Sequence, residues 1–181
     1  MAMPPTSARA GGLETKFVSL GDLDRAAAGR IEGYASIFGE ADQGGDVVMP
    51  GAFRRSLARL EEEGRKVKFL WQHDPAEPIG VWRHIREDAT GLYVQGEILA
   101  EVSRGAEALA LMSVGAIDGL SIGYRTVRAE KAAQGGRMLH EIDLWEVSLV
   151  TFPMLPTARA SLGEPRLTGD LVQALAEALS G

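Results

Sequence analysis

The sequence predicts an α+β domain, a mostly antiparallel and barrel-like sheet wrapped by a few helices. Three observations carry this. Strand-like segments follow one another across short turns, as hairpins do. The helical stretches do not alternate one for one with the strands, which argues against a doubly wound parallel sheet. The chain has 181 residues, 45% of them hydrophobic and 24% charged, which suits one soluble domain with a single core and tails.

The elements follow in order. Residues 1–29 read as a flexible N-terminal arm, opening on the Pro-, Ser- and Gly-bearing MAMPPTSARAGG, which lacks the apolar segment of a secretory signal. RIEGYASIF (30–38) is β-rich, and GEADQGGDVVMPG (39–51) is a long polar loop. Phe53, Leu57 and Leu60 recur at helical spacing, so 52–63 is a helix, ended by Gly64. VKFLWQ (67–72) is a strand closed by HDPAEP. GVWRHIRED (80–88) and GLYVQGEIL (91–99) are two strands around a tight turn at 89–91. Residues 103–114 form a second helix with Ser103 as its N-cap. Residues 117–129 and 137–152 are strands paired across the turn KAAQGG. The main domain therefore spans 30–160. The tail 161–181 ends in a short amphipathic helix, with Leu171, Leu175 and Leu179 on one face.

Composition removes several function classes. A net charge of −6 weighs against a nucleic-acid binder, which needs a basic face. The absence of cysteine excludes disulfides, cysteine catalysis and thiolate metal sites. No apolar run approaches the roughly 20 residues that span a bilayer. The three histidines, His73, His84 and His140, are separated by 11 and 56 residues, which matches no metal-ligand motif. No metal or cofactor is expected.

Two stretches carry chemistry. GLSIGY (119–124) contains the string G-x-S-x-G of the hydrolase nucleophile elbow. An elbow needs a helix after the serine, and a chain order of serine, acid, histidine. Here the strand continues past Ser121, and the only carboxylate between Ser121 and His140 is Glu130. By strand alternation Leu120, Ile122 and Tyr124 share one face, and Gly119, Ser121 and Gly123 the other. A serine between two glycines either stands where another backbone approaches closely or is inert while the glycines relieve crowding. LWEVSLV (144–150) is the most apolar strand, yet it holds Glu146, which by alternation points with Leu144, Ser148 and Val150. A carboxylate buried there costs several kcal/mol unless partnered. An imidazole, an arginine or an exposed edge would each account for it. His73 sits at a strand–loop junction, His84 reads as surface, and His140 shares parity with Glu146.

These stretches resemble, in this order, a known family. RIEGYASIFGEADQGGDVVMPGAF, FLWQHDPAEPIG, GLYVQGEI, GLSIGY and LWEVSLVTFPMLPTA are similar to the prohead (capsid-maturation) serine proteases of tailed phages of the Hong Kong 97 type, over residues 30–160. The resemblance implies a fold like herpesvirus assemblin. It also implies serine endopeptidase activity on capsid and scaffold precursors, inside the immature prohead in the bacterial cytoplasm. The partners implied are the major capsid protein precursor, scaffold and a second copy of the chain as a homodimer, with no nucleic acid and no membrane. The family's histidine falls on His73, its serine on Ser121 and its acid on Glu146, with His140 as the rival third member. An oxyanion hole is implied within 153–160, with Arg159 as a helper. The alternative is an inert capsid-assembly or scaffolding factor with the same fold. A phage, a prophage and a gene transfer agent are equally compatible sources.

Overall fold

The computed structural model describes residues 29–132 and 135–163. Ten elements follow in order. They are β1 (Arg30–Ile37), β2 (Val47–Val48), α1 (Arg54–Glu62), β3 (Lys68–Trp71), β4 (Asp74–Glu87), β5 (Gly91–Ile98), α2 (Ser103–Ser113), β6 (Gly119–Lys131), β7 (Arg137–Val150) and β8 (Ala160–Leu162). The expected arm up to residue 28 and the tail helix lie outside the described residues. Among the described residues, no helix is long and apolar enough to cross a membrane.

The strands form one mixed eight-stranded sheet. β7 is its hub: β6 runs antiparallel along it, and β2 and β3 pair with it in parallel. The antiparallel series β3–β4–β5–β1–β8 then curls round. The ends meet without a continuous ladder. Leu120 N–H donates to the Ala158 carbonyl and Ala160 N–H to the Asp118 carbonyl, each at 2.9 Å. A single bridge, Gly119 to Arg159, is thus the seam of the barrel.

Apolar side chains from the strands fill the inside, with Phe53 of the α1 entry among them. Ile31, Phe53, Ile79, Leu92, Leu120, Leu139, Leu144 and Leu149 are sealed from solvent. Burial of each such side chain stabilises the fold by about 1.5–3 kcal/mol. Trp82 stacks on Phe69 with ring centroids 4.0 Å apart, and its indole N–H reaches the Val147 carbonyl at 3.2 Å. α1 ends as its sequence predicts. Gly64 takes φ 63°, Arg65 N–H returns to the Leu60 carbonyl and Gly64 N–H to that of Glu61.

Four local readings change. β4 begins at Asp74, so DPAEP is strand and only His73 stays in the turn; Pro78 is accommodated because the β3–β4 register slips on either side of Leu70. The residue before α2 is Val102, without a side-chain cap, so Ser103 is its first helical residue and not its N-cap. The polar loop 39–51 contributes the short strand β2. The fourth concerns β7, where Gly123 pairs with Glu146 but Tyr124 pairs with Leu144. Trp145 is the extra residue, an outward bulge that reverses alternation. Leu144 therefore joins the core, and Glu146 does not share its face. The bulge is held from outside the sheet: Leu144 N–H donates to Ser56 Oγ of α1 at 2.9 Å.

Candidate active site

The parallel pairing of β3 with β7 brings the end of β3 beside Ser148 and Leu149. The chain then reverses in two residues, Gln72 and His73, because Trp71 pairs with Asp74. Both turn residues have positive φ, 52° and 63°. Two-residue hairpins with both centres in this region usually carry Asn-Gly or Asp-Gly, since a side chain there costs about 1–2 kcal/mol. The surroundings hold the turn. Gln72 N–H donates to the Leu149 carbonyl at 3.0 Å, and His73 N–H to Ser148 Oγ at 3.2 Å.

The turn presents the His73 ring to Glu146. His73 Nδ1 lies 2.5 Å from Glu146 Oε1, and Ser148 Oγ donates to Glu146 Oε2 at 2.6 Å. Each carboxylate oxygen therefore has its own donor. This answers the cost of placing Glu146 in so apolar a strand. The hydrogen bond to Glu146 raises the His73 pKa above the ordinary imidazole value, and partial burial opposes it. With Nδ1 committed to the carboxylate, Nε2 is the nitrogen left to exchange a proton.

Gly123 makes the room for this carboxylate. A Cβ on Gly123 would stand 2.1 Å from Glu146 Oε1. Gly119 is similarly crowded, by the Val150 carbonyl at 2.6 Å and Pro153 at 2.7 Å. The two glycines flanking Ser121 thus make room for the protein's own atoms, one for the acid and one for the loop after β7.

Ser121 lies directly across from Ser148 in the β6–β7 ladder. Cross-strand partners share a face, about 4.5–5.5 Å apart at Cβ. Ser121 is therefore on the face of Ser148 and Glu146, beside the hydroxyl that anchors the His73 turn. It is buried, and among the described residues its hydroxyl makes no side-chain hydrogen bond. Ser121 also lines a cleft of about 170 Å³ along the seam, with Ile37, Ile122, Tyr124 and Leu155.

His140 sits elsewhere, its Nε2 3.6 Å from Glu130 Oε2. His84 is exposed on β4. Among the described residues no three His, Asp or Glu side chains gather as metal ligands. Arg159 faces Gly119 across the seam, with its guanidinium held by Asp118 and, at 2.8 Å, by the Pro156 carbonyl. Sequence reasoning missed three groups. Ser148 was noted only for its face, although serine two residues from a buried acid on one strand is itself a signal. Gln72 and Thr151 gave none, since their contact spans 79 residues.

Comparison with known proteins shows what the chain is similar to. A family model described as caudovirus prohead serine protease matches residues 18–168. The prohead protease of Enterobacteria phage HK97 is 36% identical over 143 residues, 77% of this chain. The match spans 61% of that relative's length. The bacteriophage T4 capsid assembly protease superposes with a TM-score of 0.59 at 14% identity, over 68% of this chain and 82% of that one. The protease of Kaposi's sarcoma herpesvirus, solved with a hexapeptide phosphonate inhibitor, gives 0.46 at 12% identity, over 83% and 75%.

Proposed function

Because the chain belongs to the caudovirus prohead serine protease family, we propose that it is a serine endopeptidase that cleaves capsid or scaffold precursors within an immature prohead. The observation that supports this reading is the pairing of His73 Nδ1 with Glu146, a carboxylate on the β7 face that Ser121 shares across the ladder.

Ser121 Oγ attacks the scissile carbonyl carbon while His73 Nε2 takes its proton. Glu146 stabilises the imidazolium and keeps the ring in the one tautomer that can accept at Nε2. Ser148 fixes the carboxylate in turn. The peptide C–N bond breaks as His73 returns the proton to the leaving amine. Water, deprotonated by the same ring, then releases the acyl group from Ser121. Apo catalytic hydrogen bonds commonly tighten only when substrate arrives. Within 153–160 the N–H groups of Ala158 and Ala160 already serve the Leu155 and Asp118 carbonyls, so an oxyanion hole built there draws on the others.

Co-expression with a capsid precursor tests this. The intact chain should shorten the precursor, and Ser121→Ala should leave it whole while melting at an unchanged temperature. Identical processing in both would sink the reading and return the inert assembly factor.

A further inference from the structure

The left-handed turn that carries His73 has a second support, at Gln72. Gln72 is exposed, and glutamine has no local preference for a φ of 52°. Yet its N–H and both polar atoms of its side chain close on the end of β7 and the residue after it. Its backbone N–H donates to the Leu149 carbonyl at 3.0 Å. Its side-chain Nε2 donates to Thr151 Oγ1 at 2.7 Å, and its Oε1 accepts the Thr151 N–H at 3.3 Å. Thr151 is exposed too, so water would satisfy these groups equally well if the fold alone were at stake. What water cannot do is fix a direction. The two-point contact ties the residue before His73 to the strand that carries Ser148 and Glu146, and so sets how the imidazole leaves the turn.

We propose that Gln72, through its side-chain contact with Thr151, is a positioning residue that aims His73 Nε2 at Ser121. This rests on the serine protease reading above. It separates two quantities that normally move together. Glycine at position 72 relieves the positive φ and should stabilise the turn, while removing the clamp. A purely structural Gln72 predicts that the Gln72→Gly chain is less stable and correspondingly less active. A positioning Gln72 predicts one that is at least as stable and yet slow.

The test uses the full chain and an alkyl fluorophosphonate, which needs no knowledge of the natural substrate. Ser121 Oγ bonds to phosphorus, fluoride leaves, and His73 takes the serine proton, so the labelling rate reports how well His73 is aimed. Gln72→Gly should label about 10- to 100-fold more slowly than the unaltered chain, the range expected for an aiming error of about 1 Å, with its melting temperature unchanged or raised. Thr151→Val should slow labelling similarly, and Thr151→Ser, which keeps the hydroxyl, should restore it. The acid limb of the pH–rate profile in Gln72→Gly should move to lower pH, because a loosened contact with Glu146 raises the His73 pKa less. Labelling of Gln72→Gly at the rate and with the pH profile of the unaltered chain overturns the proposal. So does a loss of rate that only follows a lowered melting temperature. Ser121→Ala distinguishes the two levels. If it is silent while Gln72→Gly behaves as the unaltered chain, the positioning role alone falls. If it labels as well as the unaltered chain, the protease reading falls and takes this proposal with it.

Discussion

The β4–β5 connection and the β3–β4 connection are both short enough to hold their strands side by side. At the first, Asp88 caps the turn backbone itself, and the Tyr34 hydroxyl of β1 adds a bond to its Oδ2 at 2.9 Å. The Asp88 N–H donates to the Gly91 carbonyl at 3.0 Å, and its Oδ1 accepts the N–H groups of Thr90 at 2.9 Å and Gly91 at 3.2 Å. The Thr90 N–H foremost, then the Tyr34 hydroxyl and the Gly91 N–H, hold the Asp88 carboxyl below its ordinary pKa. At the second, Gln72 and His73 lack such self-capping and lean on Leu149, Ser148, Glu146 and Thr151. The first turn has its backbone capped within its own hairpin, with Tyr34 and Phe38 adding to it from outside. The second is shaped only once β7 is in place. The turn remote from the candidate site uses residues that suit its backbone, whereas the turn that carries the proposed base uses residues that suit that site.

The sharpest way to break this contrast is His73→Gly. Glycine fits a φ of 63° better than histidine does, so the melting temperature should hold or rise. Turnover should fall by about 10³-fold or more with the base gone. A large loss of stability would mean that the turn is structural after all. Glu146→Gln comes next. Loss of an orienting acid should slow turnover by about 10- to 10³-fold, below the handicap seen where such an acid matters most. It should also move the acid limb of the pH profile. The base must be neutral, so activity grows as pH rises through the raised His73 pKa; removing the charge that raises it shifts the limb to lower pH. An unmoved limb would detach Glu146 from the base.

Gly123→Ala tests the same pair by crowding. A Cβ at 2.1 Å from Glu146 Oε1 must displace the carboxylate, so activity should drop about tenfold, with about 1–3 kcal/mol lost in thermal or urea melts. The smallest effect belongs to the other turn. Asp88→Ala should cost about 1 kcal/mol of stability, read as a lower melting temperature, and leave turnover per folded molecule unchanged. A change in its pH profile would erase the distinction between the turns.

Much of this was legible in the sequence. Alternation located β1, β3, β5, β6 and β7, and the spacing of Phe53, Leu57 and Leu60 located α1, because those signals are local. What was not legible depends on partners far along the chain. The bulge at Trp145 reverses the face of Leu144, and it is held by Ser56, which lies 88 residues from Leu144. The strands β2 and β8, of two and three residues, exist only because β7 and β1 offer edges. His73, Ser121 and Glu146 stood out by type and by their places on or beside strands, but only the family resemblance singled them out over His140 and an inert serine. Their surroundings were not legible: Ser148 stood two residues from Glu146, but its bond to the His73 backbone comes from the parallel β3–β7 pairing.

Ser148 joins the site into a closed circuit. The His73 N–H points at the Ser148 oxygen, the Ser148 hydrogen points at Glu146, and the His73 ring returns to the other oxygen of the same carboxylate. A hydroxyl has one hydrogen, a backbone amide cannot turn its own round, and a carboxylate only accepts. Both arms therefore run toward Glu146, and the donors admit only this one arrangement. No proton can pass around such a ring. The one terminal through which it can take up or discharge a proton is Nε2 of His73.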